Sequence, residues 1–125
     1  MEENSTAEEF KYLLAEQKEF CVISFVGSLD HHAVIALDEC LKKIKESNCK
    51  FFIFNFRDAV EIHTTTHRLL VQMQHTIRKE KNGRLRLGGL HPKWKSELVA
   101  DGSIRADEVV DNIRVALAEL SKFIS

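Results

Sequence analysis

Three consecutive threonines lie between two histidines in the segment His63-Thr64-Thr65-Thr66-His67, and this segment has two possible chemistries. A threonine hydroxyl can accept a phosphoryl group, which adds about −1.5 to −2 charges at one point of a surface. The histidines are four residues apart, a spacing that can place two imidazoles on one helical face for a metal ion. The segment is therefore the leading candidate for a functional site.

The elements on either side of this segment predict its position in the fold. It follows the strand Lys50 to Phe56, whose apolar run shows no alternation and so indicates a parallel strand covered on both faces. The residues after it predict a helix with one apolar stripe, formed by Thr66, Leu69, Leu70, Met73 and Ile77. Free backbone N–H groups at the start of a helix favour a phosphate or an acidic partner.

The metal interpretation lacks ligands, because a zinc site needs a third and usually a fourth side chain. The segment also lacks the glutamate of the metalloprotease helix motif, and neither a nucleophile elbow nor a glycine-rich phosphate loop occurs in the chain. We therefore expect no catalytic residue, no metal and no cofactor. A small metal-dependent enzyme using His63 and His67 is kept as an alternative, and capping is the structural alternative for Thr64 and Thr65.

The rest of the chain predicts an α/β fold with a mixed, mainly parallel sheet of 4–5 strands and about four helices. Strands over Phe10 to Glu16 and Phe20 to Val26 form a hairpin whose first strand lies at a sheet edge, and Asp30 caps the first helix. A strand over Arg84 to Leu87 precedes a helix that begins near Pro92 and ends at Gly102. Ile104 forms a short strand or bridge, and Asp107 caps a last helix with an apolar stripe. That stripe comprises Val109, Val110, Ile113, Leu117, Leu120 and Ile124.

The length of 125 residues fits a flexible tail over residues 1–9 and a single domain over residues 10–125. The formal net charge of −1 argues against a nucleic-acid partner, which requires a basic excess. No segment predicts membrane insertion or a secretion signal, and we expect a cytoplasmic protein with reduced cysteines. Cys21 and Cys40 are expected to be buried.

A basic cluster stands out in this nearly neutral chain and has two interpretations. It comprises Arg78, Lys79, Lys81, Arg84 and Arg86. These residues fit a helix C-terminus followed by the solvent face of a strand. They also fit a binding patch for an acidic protein surface or a nucleotide.

In order and spacing, the motifs resemble the STAS domain of anti-sigma factor antagonists over about residues 10–124. The features that carry the resemblance are the turn Gly27-Ser28-Leu29-Asp30, the strand and loop from Phe51 to Ile62, the hydroxyl-rich helix start at Thr64, and the segment Leu85 to Leu90. The resemblance implies a binding module without catalysis, whose partner is an anti-sigma factor with serine kinase activity.

The resemblance also implies roles for individual residues. A typical antagonist carries an aspartate and a phosphoacceptor serine or threonine after its central strand, which correspond here to His63 and Thr64. Thr65 is a second candidate acceptor, and Thr66 lies near a position that is often glycine in the family. The implied partner surface comprises Gly27, Asp30, His63, Thr64, Thr65, His67, Arg68 and Val71. An accessory or scaffold subunit of a signalling assembly or transport ATPase, without phosphorylation, is the alternative, and the oligomeric state is left open.

Overall fold

The computed structural model describes residues 9–124, which form six strands and four α-helices. The strands are β1 (Lys11–Gln17), β2 (Phe20–Leu29), β3 (Phe51–Asn55), β4 (Ala59–Ile62), β5 (Arg84–Gly88) and β6 (Val109–Val110). The helices are α1 (Val34–Glu46), α2 (His67–His75), α3 (Pro92–Ala100) and α4 (Ile113–Ser121). The predicted tail over residues 1–9 lies outside the described residues except for Glu9.

The sheet is mixed and mainly parallel, as the sequence predicts. Its strand order is β1-β2-β3-β5-β6, and β4 pairs with β2 beyond the part of β2 that pairs with β3. Only the β1–β2 pair is antiparallel among the described strands, and β1 lies at the edge of the sheet. The predicted hairpin and its edge position are therefore confirmed.

Strand β3 is buried along its whole length, as its unbroken apolar run predicts. Phe52 and Phe54 pack into the main core with side chains from α1, α2 and α3, whereas Phe51 and Ile53 pack with Ala116 and Leu120 of α4. Burying each such side chain contributes about 1.5–3 kcal/mol. Alternate side chains of β3 thus hold helices on both faces of the sheet.

Strand β4 corrects the sequence prediction, which treated the residues between Phe56 and Ile62 as a polar connection. It has four residues, of which only Ile62 is buried, so its local pattern is weak. Its pairing is parallel, with Gly27 against Ala59 and Leu29 against Ile62, and the register shifts between Gly27 and Ser28. A strand held by a partner about thirty residues away has no signature in its own sequence.

The start of the last helix was also predicted wrongly. Asp107 belongs to a short 3₁₀ turn, and Val109 and Val110 form β6 against Leu87 and Gly88 of β5. Helix α4 begins at Ile113, after Asn112, whose side-chain oxygen accepts a hydrogen bond from the N–H of Val115 at 3.0 Å. Two adjacent β-branched residues suit a strand better than a helix.

The other predicted parts of this region also differ in detail. Ile104 is buried in a loop and forms no strand. Leu117 and Ile124 are 37% and 45% exposed, so they lie outside the buried stripe of α4.

Cys21 and Cys40 are fully buried, as predicted. Within residues 9–124, no helix has the length and apolar character needed to cross a membrane.

Candidate functional site

The candidate site lies where the parallel strands β2 and β4 end side by side. Their carboxyl ends are joined by a hydrogen bond of 2.8 Å from the N–H of His63 to the carbonyl of Leu29. Each strand leads into a 3₁₀ turn, His31–Ala33 after β2 and Thr64–Thr66 after β4, and the two turns are in contact. The topology of the sheet therefore brings the Asp30 turn and the threonine turn to one surface.

Thr66 anchors the threonine turn to the core. Its side chain is fully buried, and its hydroxyl donates towards the carbonyl oxygens of His63 at 2.8 Å and Leu29 at 3.3 Å. Its backbone φ of −98° is ordinary for a threonine, so no glycine is required there. The prediction that Thr66 faces inward at the start of the apolar stripe is confirmed.

The cap of the threonine turn is His63, not Thr64 or Thr65. The Nδ1 atom of His63 accepts a hydrogen bond from the N–H of Thr65 at 3.3 Å and lies 3.2 Å from the hydroxyl of Thr65. Thr64 and Thr65 are both exposed. Within residues 9–124 the hydroxyl of Thr64 has no hydrogen-bond partner, which leaves it accessible to another protein.

The neighbouring turn is fixed by Gly27 and Asp30. Gly27 has a φ of 90°, a value that favours glycine, and its N–H donates to the carbonyl of Asp58 at 3.0 Å. Asp30 caps the turn by accepting from the N–H of His32 at 2.9 Å, which confirms the predicted cap. Because Gly27 is buried, it can shape a partner surface only through the turn that it allows.

The first residues of α2 extend the exposed surface. Arg68 and Val71 are exposed, and the side chain of Val71 is 42% accessible. His67 turns instead towards the loop after α3, where its Nδ1 lies 3.0 Å from a carboxylate oxygen of Asp101. Of the predicted partner residues on α2, His67 is thus the one already engaged within the fold.

Asp101 is a site residue that sequence reasoning missed. Its side chain accepts a hydrogen bond from the N–H of Ser103 at 2.9 Å. Hydrogen bonding from Ser103, together with the nearby His67 imidazole, lowers the pKa of the Asp101 carboxyl below its ordinary value. Asp101 lies 34 positions beyond His67, and no local pattern links the two residues.

Among the described residues, no third ligating side chain lies within reach of an ion shared by His63 and His67. The Nδ1 of His63 faces Thr65 and the Nδ1 of His67 faces Asp101, so the two rings are held by different partners. Among the described residues, the only three ligating side chains within reach of one ion are Asp30, His31 and His32. The Asp30 carboxylate there already serves as the cap, and nothing else at this turn indicates a ligand.

Residues 11–118 match the sequence profile of the STAS domain. The chain belongs to the STAS domain family. This match covers most of the chain and confirms the resemblance found in the sequence. No match was found among curated proteins.

Solved structures share this STAS fold. The chain is similar to the anti-sigma factor antagonist SpoIIAA in its unphosphorylated form, with a TM-score of 0.73, 19% identity and coverage of 92% of this chain and 100% of that one. An anti-sigma factor antagonist from Mycobacterium paratuberculosis gives a TM-score of 0.77 at 13% identity, with coverage of 90% and 95%. The Bacillus cell fate determinant SpoIIAA in its phosphorylated form gives 0.64 at 21% identity, with coverage of 81% and 90%.

Proposed function

We propose that this STAS domain is an anti-sigma factor antagonist-like binding module that regulates transcription by partner switching. In this proposal its partner is an anti-sigma factor with serine kinase activity, which phosphorylates Thr64 and is then released. The kinase supplies the catalysis, and the STAS domain is its substrate and its target.

The observation that carries the proposal is the exposed hydroxyl of Thr64, which lies on a turn that Thr66 anchors to the core. Thr66 and His63 fix the turn, so the acceptor oxygen has a defined position without being used by the fold. The hydroxyl of Thr65 already lies 3.2 Å from His63 Nδ1, which favours Thr64 over Thr65 as the acceptor. A phosphorylated form of the related Bacillus SpoIIAA has been solved, which is consistent with this chemistry in the family.

The surroundings of Thr64 explain how phosphorylation would release a partner. Thr64 in the threonine turn and Arg68 and Val71 in the first part of α2 are all exposed, which gives this region both polar and apolar side chains, as protein interfaces have. A phosphate would add about −1.5 to −2 charges and three acceptor oxygens at that point. Such a charge, desolvated against a partner surface, opposes binding unless the partner supplies a compensating cation.

The alternative is an accessory or scaffold subunit that is not phosphorylated. The observation that favours it is His63, because the family carries an aspartate at this position and here the imidazole serves as a cap. Under this alternative, Thr64 is an ordinary exposed residue of the partner surface.

The test incubates wild-type protein, Thr64→Ala, Thr64→Glu and the matched control Thr65→Ala with lysate of the native host and ATP. Phosphopeptides and retained proteins are identified by mass spectrometry. We expect phosphate on Thr64 in the wild type and Thr65→Ala, and a small ATP-binding kinase retained by Thr64→Ala but not by Thr64→Glu. Retention of that kinase equally by Thr64→Ala and Thr64→Glu would refute the switch. Retention of scaffold subunits by all four proteins would support the alternative.

A further inference from the structure

A second surface lies at the other end of the sheet, where the basic cluster of the sequence surrounds a cavity. The cavity has a volume of about 260 Å³. Its lining comprises Arg78, Lys79, Gly83, Arg84, Leu85, Arg86, Arg105 and Glu108. The fold adds Arg105 from the loop after α3 and removes Lys81, whose ammonium group donates to the carbonyls of Lys45 and Ser47 elsewhere. We call this site the basic cavity.

Two of the five cations in the basic cavity are neutralised within the fold. The guanidinium of Arg78 forms a bidentate ion pair with the carboxylate of Glu108 and also donates to the side-chain oxygen of Gln74 at 2.8 Å. Arg86 donates from Nε to Glu119 at 2.7 Å. Because carboxylates within the fold already neutralise both arginines, their charges are not available to a ligand of the basic cavity.

The other three cations are exposed and have no carboxylate partner within residues 9–124. They are Lys79, Arg84 and Arg105. The guanidinium of Arg84 lies over the ring of Phe123, with 3.6 Å between its central carbon and the ring centroid. This stacking fixes the guanidinium while leaving its N–H groups free to donate. The chain carries a net charge of −1, so this concentration of positive charge is local.

We propose that the basic cavity is a docking site for an acidic segment of a partner protein, separate from the Thr64 surface. Carboxylates match the fork of an arginine and the three uncompensated charges of this site. A nucleotide fits less well because Leu85 is the only apolar side chain in the lining and is 1% exposed, and one face of Phe123 is covered by Arg84. The site therefore offers charge without a platform for a base.

The position of the basic cavity allows both surfaces to be used at once. β4 and β5 run in the same direction, because β4 is parallel to β2, β2 to β3 and β3 to β5. Thr64 follows the end of β4, whereas Arg84 begins β5. The two sites therefore lie at opposite ends of the strands. A domain with this arrangement can hold an acidic segment while its Thr64 surface is bound or phosphorylated.

The test measures binding of a fluorescein-labelled octaglutamate peptide by fluorescence anisotropy at low salt. The triple variant Lys79→Gln/Arg84→Gln/Arg105→Gln removes the uncompensated cations. Its matched control, Lys11→Gln/Lys42→Gln/Lys95→Gln, removes three exposed lysines elsewhere and changes the net charge equally. We expect the first triple to weaken binding about tenfold and the control to change it less than about twofold, since exposed charge pairs are individually weak.

Further arms of the experiment decide the kind of partner. Thr64→Glu should bind the peptide as the wild type does, which keeps this test independent of the proposed function. Circular dichroism of each triple variant checks that the fold is intact, which is expected because every changed side chain is exposed. Equal loss of binding in both triples would overturn the site, since only the overall charge would then matter. Tighter binding of ATP or of an eight-nucleotide single strand, lost in the first triple alone, would overturn the acidic-protein partner.

Discussion

Replacing Thr66 tests whether the threonine turn is held in the way that the structure shows. Thr66→Val keeps the shape of the side chain and replaces only the hydroxyl with a methyl group, whereas Thr66→Gly introduces the glycine that often occurs near this position in the family. Both carbonyl oxygens that face the hydroxyl keep another donor, because Leu29 accepts from the N–H of His63 at 2.8 Å and His63 accepts from the N–H of Thr66 at 2.9 Å. Thr66→Val therefore leaves no buried carbonyl without a partner.

The expected losses follow from these contacts. Thr66→Val should lower the free energy of unfolding by about 1 kcal/mol, the net value of one buried hydrogen bond. Thr66→Gly also loses two buried carbon atoms, the β-carbon and the methyl, about 1.6 kcal/mol together, and incurs a backbone entropy cost of about 0.5–1 kcal/mol. Its total loss should be about 3 kcal/mol. No strain is relieved in exchange, because φ at this residue is −98°.

Urea unfolding followed by circular dichroism measures these differences. Thr65→Val is the control in the same turn, and because its side chain is exposed we expect it to stay within about 0.5 kcal/mol of the wild type. A Thr66→Gly protein as stable as the wild type would refute the anchoring role. A Thr66→Val protein no less stable than Thr65→Val would refute the hydrogen bonds.

Two further predictions follow from groups buried elsewhere in the fold. Burial raises the pKa of the Cys21 and Cys40 thiols to about 12 and also raises that of Cys49. At pH 8.5 less than about one in a thousand of the Cys21 and Cys40 thiols is therefore ionised. We expect iodoacetamide to label none of the three cysteines in the native protein and all of them in urea. Rapid labelling of the native protein, measured by mass spectrometry, would contradict this prediction. Glu108→Ala should destabilise the protein by about 3 kcal/mol, because it leaves the largely buried Arg78 without its carboxylate partner. Its control is Asp38→Ala, which removes the exposed Lys42–Asp38 pair and should cost under about 0.5 kcal/mol. Equal urea midpoints for the two variants would contradict a stabilising role of the Arg78–Glu108 pair.

The sequence predicted much of the fold because its main signals are local. The unbroken apolar run of β3 requires cover on both faces, and α4 and the three other helices supply it. The helical spacing that begins at Thr66 predicted which face of α2 is buried, and Thr66 is fully buried there. The capping prediction at Asp30 is confirmed for the same reason, since a cap is formed by residues two positions apart.

The predictions that failed depend on partners elsewhere in the chain. β4 and β6 are short, and each exists because a longer strand offers it a free edge. One alternative at the threonine turn failed for a local reason: the cap is His63 rather than Thr64 or Thr65, because its imidazole reaches the N–H of Thr65 two residues on.

The sequence by itself determined the fold class, the burial of β3 on both faces, the buried face of α2 and the presence of hydroxyls at the start of α2. Only the tertiary structure decided which hydroxyl is free, that His67 pairs with Asp101, and that Arg105 joins the basic cavity whereas Lys81 leaves it. Periodicity records how each residue faces the core, because burial repeats with the geometry of its own helix or strand. Contacts between side chains about thirty positions apart depend on how the elements pack, and no short pattern in the sequence records them.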